Sequence, residues 1–196
     1  MTSLESSAVR WRVFCAINLP LALRERVQVH IARLRESVPE ARASWNRDDK
    51  LHLTIKFLGD INVDRAPALS LAAERAVAGL KPISLIAEGC GAFPERGRPR
   101  VLWIGTVDED EGLARLHQRL ETECAAQGFP REPRAFRPHL TIARVRQPAA
   151  ALELADAHRR MGFLPLKFEA NELVVIRSEL SGAGSRYTDI SRHPLR

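Results

Sequence analysis

The tetrapeptide His-Leu-Thr-Ile occurs twice in this chain of 196 residues, at positions 52–55 and again at positions 139–142. A short match of common residues arises easily by chance, so its surroundings decide what it means. Each copy follows an alternating apolar segment and a helical stripe, and a second helix and another strand follow each copy. Because the copies occupy equivalent places in one order of elements, we interpret the chain as an internal duplication that forms two similar lobes.

Apolar periodicity predicts the elements of both halves. Alternation between apolar and polar residues predicts strands, and apolar residues spaced three and four apart predict helices. The predicted strands are 11–17, 51–59, 83–88, 101–106, 139–145, 166–170, 172–178 and 185–190. The predicted helices begin after Pro20, after a cap at Asn62 or Asp64, after a cap at Asp108 or Asp110, and at Pro148. Residues 89–100 are rich in Gly, Pro and Arg and are predicted to form a loop.

The sequence contains no linker long enough to separate the two halves. The chain is long enough for a single domain to bury a sizeable core. We therefore expect one α+β domain over residues 1–196, with approximate repeat halves at 10–90 and 101–178 and two lobes that share one body.

The polar residues of the repeated strands carry the functional prediction. Side chains two apart in a strand point to the same face of a sheet. One face is predicted to hold His52, Thr54, Lys56, His139 and Thr141, and the core face to hold Leu53, Ile55, Phe57, Leu140 and Ile142. A single His-x-Thr segment is most simply a solvated strand face. Two equivalent copies, in lobes related by a near-two-fold axis, would instead meet in one cleft.

Two imidazoles and two hydroxyls in one cleft suit a displacement at phosphorus. Histidine has a reference pKa of roughly 6.5, so one ring can be neutral and the other protonated near neutral pH. Such a pair provides a general base and a general acid, and the threonine hydroxyls can donate hydrogen bonds to non-bridging oxygens. Two histidines without a nearby carboxylate are a poor metal-ligand set, and no HExxH, P-loop or GxGxxG pattern occurs. No metal or cofactor is therefore expected.

The net charge of +6 and the pI near 9.9 favour an anionic partner. Charge alone does not choose among nucleic acid, nucleotides and an acidic membrane surface. The apolar run 13–23 follows two arginines as in a signal peptide, but Asn18 and Pro20 interrupt it and no small-x-small cleavage site follows. No segment approaches the about 20 apolar residues that span a bilayer, so no membrane partner is expected.

The three cysteines form no CxxC pair and indicate no disulfide framework, which favours a reducing, cytoplasmic location. Cys15 lies in an apolar run and Cys124 in a helical stripe, so both are predicted to be small core residues. The histidines outside the repeated motifs are predicted to be surface or cap residues, and they are His30, His117, His158 and His193.

The repeated motifs resemble the paired HxTx motifs of the 2H phosphoesterase superfamily. Within that superfamily the sequence is similar to the bacterial and archaeal RNA 2′,3′-cyclic phosphodiesterases, historically called 2′-5′ RNA ligases. The resemblance covers nearly the whole chain, through segments 12–20, 51–60, 91–105, 136–144 and 178–190. HxT alone is a weak signal, whereas five such segments in the same order are a strong one.

The resemblance implies a bilobal fold with antiparallel sheets around a central basic cleft and helices outside. It implies hydrolysis of an RNA 2′,3′-cyclic phosphate end to a 2′-phosphate, with 2′-5′ ligation as the related reaction. By the family's assignment His52 is the proton donor and His139 the proton acceptor, and Thr54 and Thr141 hold the phosphate. The implied partner is an RNA or oligonucleotide with a 2′,3′-cyclic phosphate end, bound by a monomer without a cofactor.

Further residues are candidates for contact with the substrate. Lys56 shares the polar strand face, and Arg144 matches the family, although strict alternation points Arg144 away from His139 unless a bulge returns it. Candidates for base stacking or for the RNA backbone, each equally compatible with packing or solvation, are Tyr187, Trp45, Phe136, Arg131, Arg134 and Arg137. Two other functions stay open: a 2H phosphodiesterase for a small cyclic nucleotide, and a non-catalytic RNA-binding module.

Overall fold

The computed structural model describes residues 9–181 and 184–196. Over these residues the chain forms one nine-stranded sheet and four α-helices. The strands are β1 (Arg10–Asn18), β2 (Ala43–Trp45), β3 (His52–Asn62), β4 (Ile83–Phe93), β5 (Val101–Val107), β6 (His139–Val145), β7 (Leu166–Ala170), β8 (Glu172–Ser181) and β9 (Gly184–Pro194). The helices are α1 (Leu21–Ser37), α2 (Ala66–Val77), α3 (Gly112–Ala126) and α4 (Ala151–Met161).

The two HLTI strands lie side by side at the centre of the sheet. The strand order is β7-β4-β5-β6-β3-β1-β8-β9, with β2 paired to β6, and every pairing among the described residues is antiparallel. Strands β3 and β6 meet at one residue pair, Leu53 and Leu140. Outside them lie the strands that open each half of the sequence, β1 beside β3 and β5 beside β6. The predicted α+β fold with two antiparallel lobes is confirmed.

The chain exchanges elements between the lobes. Strand β4 belongs to the first half of the sequence but pairs with β5, and β8 belongs to the second half but pairs with β1. The helices follow the same exchange, since α1 packs against α4 and α2 packs against α3. Segments 10–90 and 101–178 therefore interleave, and one apolar core joins them.

Helices α1 and α3 begin and pack as their sequences predict. Helix α1 starts just after Pro20 and buries the predicted stripe of Leu23, Val27, Ile31 and Leu34. At α3, the carboxylate of Asp108 accepts hydrogen bonds from the N–H groups of Leu113 and Ala114, at 2.9 and 3.0 Å. This carboxylate satisfies two of the free donors of the first turn, which is the predicted role of a cap. None of the described helices is long and apolar enough to cross a membrane.

Helix α2 begins differently from the prediction. No side chain caps it, so the expected cap at Asn62 or Asp64 is wrong. A short 3₁₀ turn, Val63–Arg65, leads directly into the helix, and Pro67 lies in its first turn. Proline has no N–H group, so fewer donors need a partner at this end of the helix.

Strand β4 extends through the first part of the predicted loop, to Phe93. Gly89 and Gly91, which suggested a loop, lie within the strand instead. Gly89 has a φ of +70° and sits at a bulge between Glu88 and Cys90. At Gly91 a Cβ would lie 2.1 Å from the ring of Trp103, so only glycine lets that indole lie across β4.

The burial of cysteines and histidines confirms one prediction and corrects another. Cys15 and Cys124 are fully buried, as expected of core residues. His30 and His158 are only 6% and 0% exposed, so their assignment to the surface is wrong. His193 is also buried, at 9% exposure. These side chains face the core because their helix or strand positions continue an apolar stripe, as His30 does between Val27 and Leu34.

Candidate active site

The pairing of Leu53 with Leu140 assembles the polar residues of the two motifs. Both leucines are fully buried, so their neighbours in each strand point to the opposite face of the sheet. One residue to either side in this antiparallel register, His52 lies beside Thr141, and Thr54 lies beside His139. The structure therefore brings the two imidazoles and two hydroxyls together at the centre of one sheet face.

Backbone carbonyls fix the orientation of both imidazoles in the same way. Nδ1 of His52 donates a hydrogen bond to the carbonyl of Lys50 at 3.0 Å, and Nδ1 of His139 donates to the carbonyl of Arg137 at 2.7 Å. Each acceptor is two residues before its histidine. A neutral ring that donates through Nδ1 carries its lone pair on Nε2. Nε2 is thus the atom through which each ring can exchange a proton with a bound molecule.

A bulge follows the threonine in each motif. Along β1 and β3 the register passes from Ala16 opposite Thr54 to Cys15 opposite Lys56, which leaves Ile55 without a partner. Along β5 and β6 the same shift leaves Ile142 without a partner. A bulge adds one residue to one strand and so reverses which face the later side chains occupy.

The first bulge reverses the predicted positions of Lys56 and Phe57. Lys56 is 3% exposed, and its Nζ donates to Glu121 Oε1 at 2.6 Å and to the carbonyl of Pro130 at 2.9 Å. It lies on the helix-covered side of the sheet, so its predicted contact with the substrate is wrong. Phe57, predicted to be in the core, is 42% exposed and stacks against Phe14 at 6.4 Å on the face that carries His52.

The second bulge returns Arg144 to the cleft. Strict alternation pointed this side chain away from His139, but the extra residue places it on the same face. Arg144 is exposed, and its positive charge adds to the effect of burial in lowering the pKa of His52 and His139. At Tyr187 the same charge opposes burial, which raises the pKa of the phenol. Since the charge acts on all three groups, the guanidinium lies near both halves of the site.

Asn46 holds the backbone at this second bulge. Its Nδ2 donates to the carbonyl of Thr141, and its backbone N–H donates to the carbonyl of Ile142, each at 2.8 Å. A bulge disrupts the sheet hydrogen bonds, and these two contacts supply partners for the carbonyls that would otherwise lack them.

Aromatic rings line both sides of the cleft. On one side, His52 stacks on Phe14 at 4.7 Å between ring centres and meets the edge of Tyr187 at 5.5 Å. On the other, His139 lies 5.1 Å from Phe93 and 6.5 Å from Trp103. Burial raises the pKa of Tyr187, so its phenol stays protonated and can donate a hydrogen bond.

Three of these rings were missed in the sequence. Phe14 left a signal, because it is an apolar residue on the face of the 11–17 strand opposite the predicted core face. Phe93 and Trp103 meet only through the pairing of β4 with β5, which periodicity within one segment does not reveal.

Burial lowers the pKa of both motif histidines. It lowers that of His52 to about 4, with further lowering by the charges of Arg144 and His139 against the opposing effect of the Lys50 carbonyl. The pKa of His139 is also lowered, first by burial and then by Arg144, again against a carbonyl hydrogen bond. In the free protein both rings are therefore neutral near pH 7, and a bound anion would raise both pKa values.

The remaining candidates lie at or beyond the margin of this site. A small pocket of about 130 Å³ beside His139 is lined by Phe93, Glu95, Trp103, Arg137 and Pro138. There Arg137 donates to Glu95 at 2.7 Å. Trp45 and Phe136 pack against the core, and Arg134 pairs with Glu132.

The sequence and fold match one group of proteins. A model of the 2′-5′ RNA ligase superfamily matches residues 23–182. The chain is 30% identical over 182 residues to the RNA 2′,3′-cyclic phosphodiesterase of Methanothermobacter thermautotrophicus, an alignment that covers 91% of this chain and 96% of that protein.

Solved structures match over nearly the full length. A crystal structure from Thermus thermophilus superposes with a TM-score of 0.76 at 27% identity and covers 94% of this chain and 98% of the other. Escherichia coli LigT complexed with 3′-AMP superposes with a TM-score of 0.73 at 27% identity and covers 95% and 99%.

Proposed function

The chain belongs to the 2′-5′ RNA ligase superfamily, and from this premise we propose that it hydrolyses RNA 2′,3′-cyclic phosphate ends to 2′-phosphates. The observation that carries the proposal is the group formed by His52, Thr54, His139 and Thr141 around one strand pair. It offers two imidazole Nε2 atoms and two hydroxyls on a single face, which suits acid–base displacement at a phosphodiester.

The proposed reaction is one in-line displacement. His139 Nε2 accepts a proton from water as the water oxygen bonds to phosphorus. The bond from phosphorus to O3′ breaks, and His52 Nε2–H gives its proton to O3′. The phosphate remains on O2′, one proton has moved onto His139 and one has left His52, and exchange with solvent restores both rings. The assignment of donor and acceptor follows the family resemblance, and the cleft supplies both groups.

Three side chains would stabilise the negative charge of the phosphate. The hydroxyls of Thr54 and Thr141 can donate to the non-bridging oxygens, where charge resides in the transition state. The Arg144 guanidinium adds a fixed positive charge on the same face. Because the charge of Arg144 is already present in the free protein, the site is ready for an anion before the anion binds.

Proton uptake would accompany binding. Both histidines are neutral in the free protein near pH 7, yet the reaction needs a protonated His52. A cyclic phosphate carries one negative charge, and its entry between the rings would raise the pKa of His52. Once protonated in the complex, His52 can donate its proton to O3′, so that the leaving group departs as a hydroxyl rather than as an alkoxide.

The aromatic side of the cleft suits a nucleoside. Phe14, Phe57 and Tyr187 form a wall next to His52, and proteins hold unpaired RNA bases by stacking on such rings. If an RNA 5′-hydroxyl replaced water as the nucleophile, the same step would create a 2′-5′ linkage without ATP. Water is far more concentrated than RNA ends, so hydrolysis is the proposed direction.

The test is a product analysis. An oligonucleotide with a 2′,3′-cyclic phosphate end is incubated with the protein, with and without a chelator, and the position of the product phosphate is mapped. We expect a 2′-phosphate in both reactions. A 3′-phosphate product or a strict metal requirement would contradict the proposal. Parallel assays with a cyclic mononucleotide distinguish an RNA enzyme from one that prefers a small cyclic nucleotide.

A further inference from the structure

A second cluster of reactive side chains lies away from the cleft. His30 of α1, Cys90 of β4 and His158 of α4 place one nitrogen or sulfur atom each within 4.8 Å of the others. His30 Nε2 lies 2.9 Å from His158 Nδ1 and 3.9 Å from Cys90 Sγ. Three separate elements thus bring two imidazoles and a thiol to one point.

The sheet separates this cluster from the proposed phosphodiester site. Cys90 lies opposite Ile104 in the pairing of β4 with β5, and Ile104 is fully buried on the helix-covered face. The next residues, Gly91 and Trp103, point to the other face, where the indole lies near His139. Cys90 therefore points away from the cleft, toward α1 and α4.

His158 is oriented as metal-binding histidines are. Its Nε2 donates to the carbonyl of Trp103 at 2.9 Å, which fixes the ring and leaves the lone pair on Nδ1. Histidine ligands of metals characteristically donate their other ring N–H to a carbonyl or carboxylate in this way. The lone pair of Nδ1 points at His30, and the ring is fully buried.

The distances come close to those around a tetrahedral ion. Zinc bonds of about 2.0–2.1 Å to nitrogen and about 2.3 Å to sulfur set tetrahedral ligand atoms roughly 3.3–3.6 Å apart. The separations of 2.9 Å and 3.9 Å lie on either side of that range, and Cys90 Sγ lies within 4.8 Å of His158 Nδ1, so the side chains shift to complete the site. In the metal-free protein His30 Nε2–H donates to His158 Nδ1. A shift of that proton to His30 Nδ1 frees the second lone pair.

The charge of the ion calls for an anionic ligand. Two neutral imidazoles alone would leave the charge of a dication uncompensated. Cys90 can supply the compensating charge, because its thiol loses a proton when sulfur bonds to the metal. Imidazole and thiolate ligands select zinc and similar ions over magnesium or calcium.

We propose that His30, Cys90 and His158 bind one Zn²⁺-class ion that joins α1 and α4 to β4. Among the described residues no fourth histidine, cysteine or carboxylate completes the group, so a water molecule takes the fourth position. Cys90 is partly exposed, which gives the ion a route of entry. The ion would brace the lobe that carries His139 from the side opposite the cleft, and it takes no part in the phosphodiester reaction.

The experiment is a titration of the full, metal-free chain with Co²⁺, which reports ligand type by its absorption. We expect one equivalent to bind, with tetrahedral ligand-field bands and a thiolate-to-cobalt charge-transfer band that Zn²⁺ abolishes by displacement. Saturating Zn²⁺, at about 100 times its Kd, should raise Tm by roughly 5–10 °C. The absorption spectrum and the Tm do not depend on hydrolysis, so they test the metal site independently of the proposed function.

Variants locate the site. Cys90→Ser should lose the charge-transfer band and weaken binding by more than the roughly 10–100-fold typical of losing an outer partner. Cys124→Ala removes another thiol and should retain the full spectrum. If Cys90→Ser fails to fold by circular dichroism, His30→Gln replaces it and should lose stoichiometric binding. No stoichiometric binding by the native chain, or an unchanged spectrum in either site variant, would overturn the proposal and leave the histidines as a hydrogen-bonded core pair.

Discussion

Strands β3 and β6 share the sequence HLTI and the bulge after its threonine, and they differ in the two residues that follow. At the first position, which faces the helices, β3 has Lys56 in an ion pair with Glu121, whereas β6 has Ala143. At the second, which faces the cleft, β3 has Phe57 and β6 has Arg144. The shared residues can move protons and hold a phosphate, and the differing residues give one lobe an aromatic wall and the other a charge.

The surroundings of the two motif histidines also differ between the lobes. His52 contacts the rings of both Phe14 and Tyr187, and burial lowers its pKa to about 4. His139 lies beside Phe93 at the edge of a small pocket. The two copies of the motif thus have unequal surroundings, which suits the proposed reaction with one proton donor and one proton acceptor.

The largest effect is expected from the histidines, which both strands share. Removal of either ring, in His52→Ala or His139→Ala, should lower kcat by about 10²–10⁴-fold with a modest change in KM, because each ring moves a proton in the proposed reaction. His117→Ala is the matched control, since His117 lies in α3, 3.9 Å from Glu121 on the helix-covered side of the sheet. Full activity in either motif variant would remove the basis of the two-histidine account. A loss of affinity in proportion to activity would favour a binding module.

The first difference between the strands, Lys56 in β3 where β6 has Ala143, should affect the stability of the fold. Lys56→Met removes the charged partner of the buried Glu121 carboxylate, which keeps only the N–H of Glu132 at 3.2 Å and the ring of His117 at 3.9 Å. This loss should lower the free energy of unfolding by about 3–5 kcal/mol. Urea denaturation measures this change. The double variant Lys56→Met/Glu121→Leu removes both charges and should recover most of the loss. A double variant as unstable as the single one would show that packing, and not the unpaired charge, causes the effect.

The second difference, Arg144 in β6 where β3 has Phe57, should affect the binding of the phosphate and the pKa values of both motif histidines. Arg144→Gln removes a charged donor worth about 1.5–3 kcal/mol, so kcat/KM should fall about 10–100-fold. The same change should raise the pKa of His52 and His139, which NMR titration of the rings can follow. Arg146→Gln is the control, since Arg146 donates to Ser44. Equal effects of the two variants would argue against a special role for Arg144.

The pH dependence of kcat/KM tests whether the reaction needs a protonated His52 together with a neutral His139. The profile of kcat/KM reports the free protein, in which both histidines have lowered pKa values. Above those values the protonated fraction of His52 falls about tenfold per pH unit while His139 stays neutral. We therefore expect kcat/KM to fall as pH rises from 7 to 8, with the kcat profile displaced to higher pH by the bound anion. A flat kcat/KM profile over this range would contradict the lowered pKa of His52.

The sequence was informative where one local pattern decides the structure. Eight of the nine described strands were predicted from alternation, and only the three-residue β2 was missed. The shared face of histidine and threonine follows from the same spacing of two, and the Asp108 cap follows from one turn. A bulge was named as the alternative for Arg144, but the sequence located neither bulge. Ile55 and Ile142 are ordinary β-branched strand residues, and neither a glycine nor a proline marks the shift. The buried meeting of His30 with His158 depends on the packing of α1 against α4, which neither helix encodes alone.

The most direct test of the two roles replaces the bridging O3′ of the cyclic phosphate by sulfur. A thiolate leaves without protonation, so a general acid becomes unnecessary while a general base is still needed. With this substrate we expect the deficit of His52→Ala to nearly disappear and that of His139→Ala to remain at about 10²–10⁴-fold. Equal deficits on both substrates, or rescue of His139→Ala alone, would contradict the assignment of His52 as donor and His139 as acceptor.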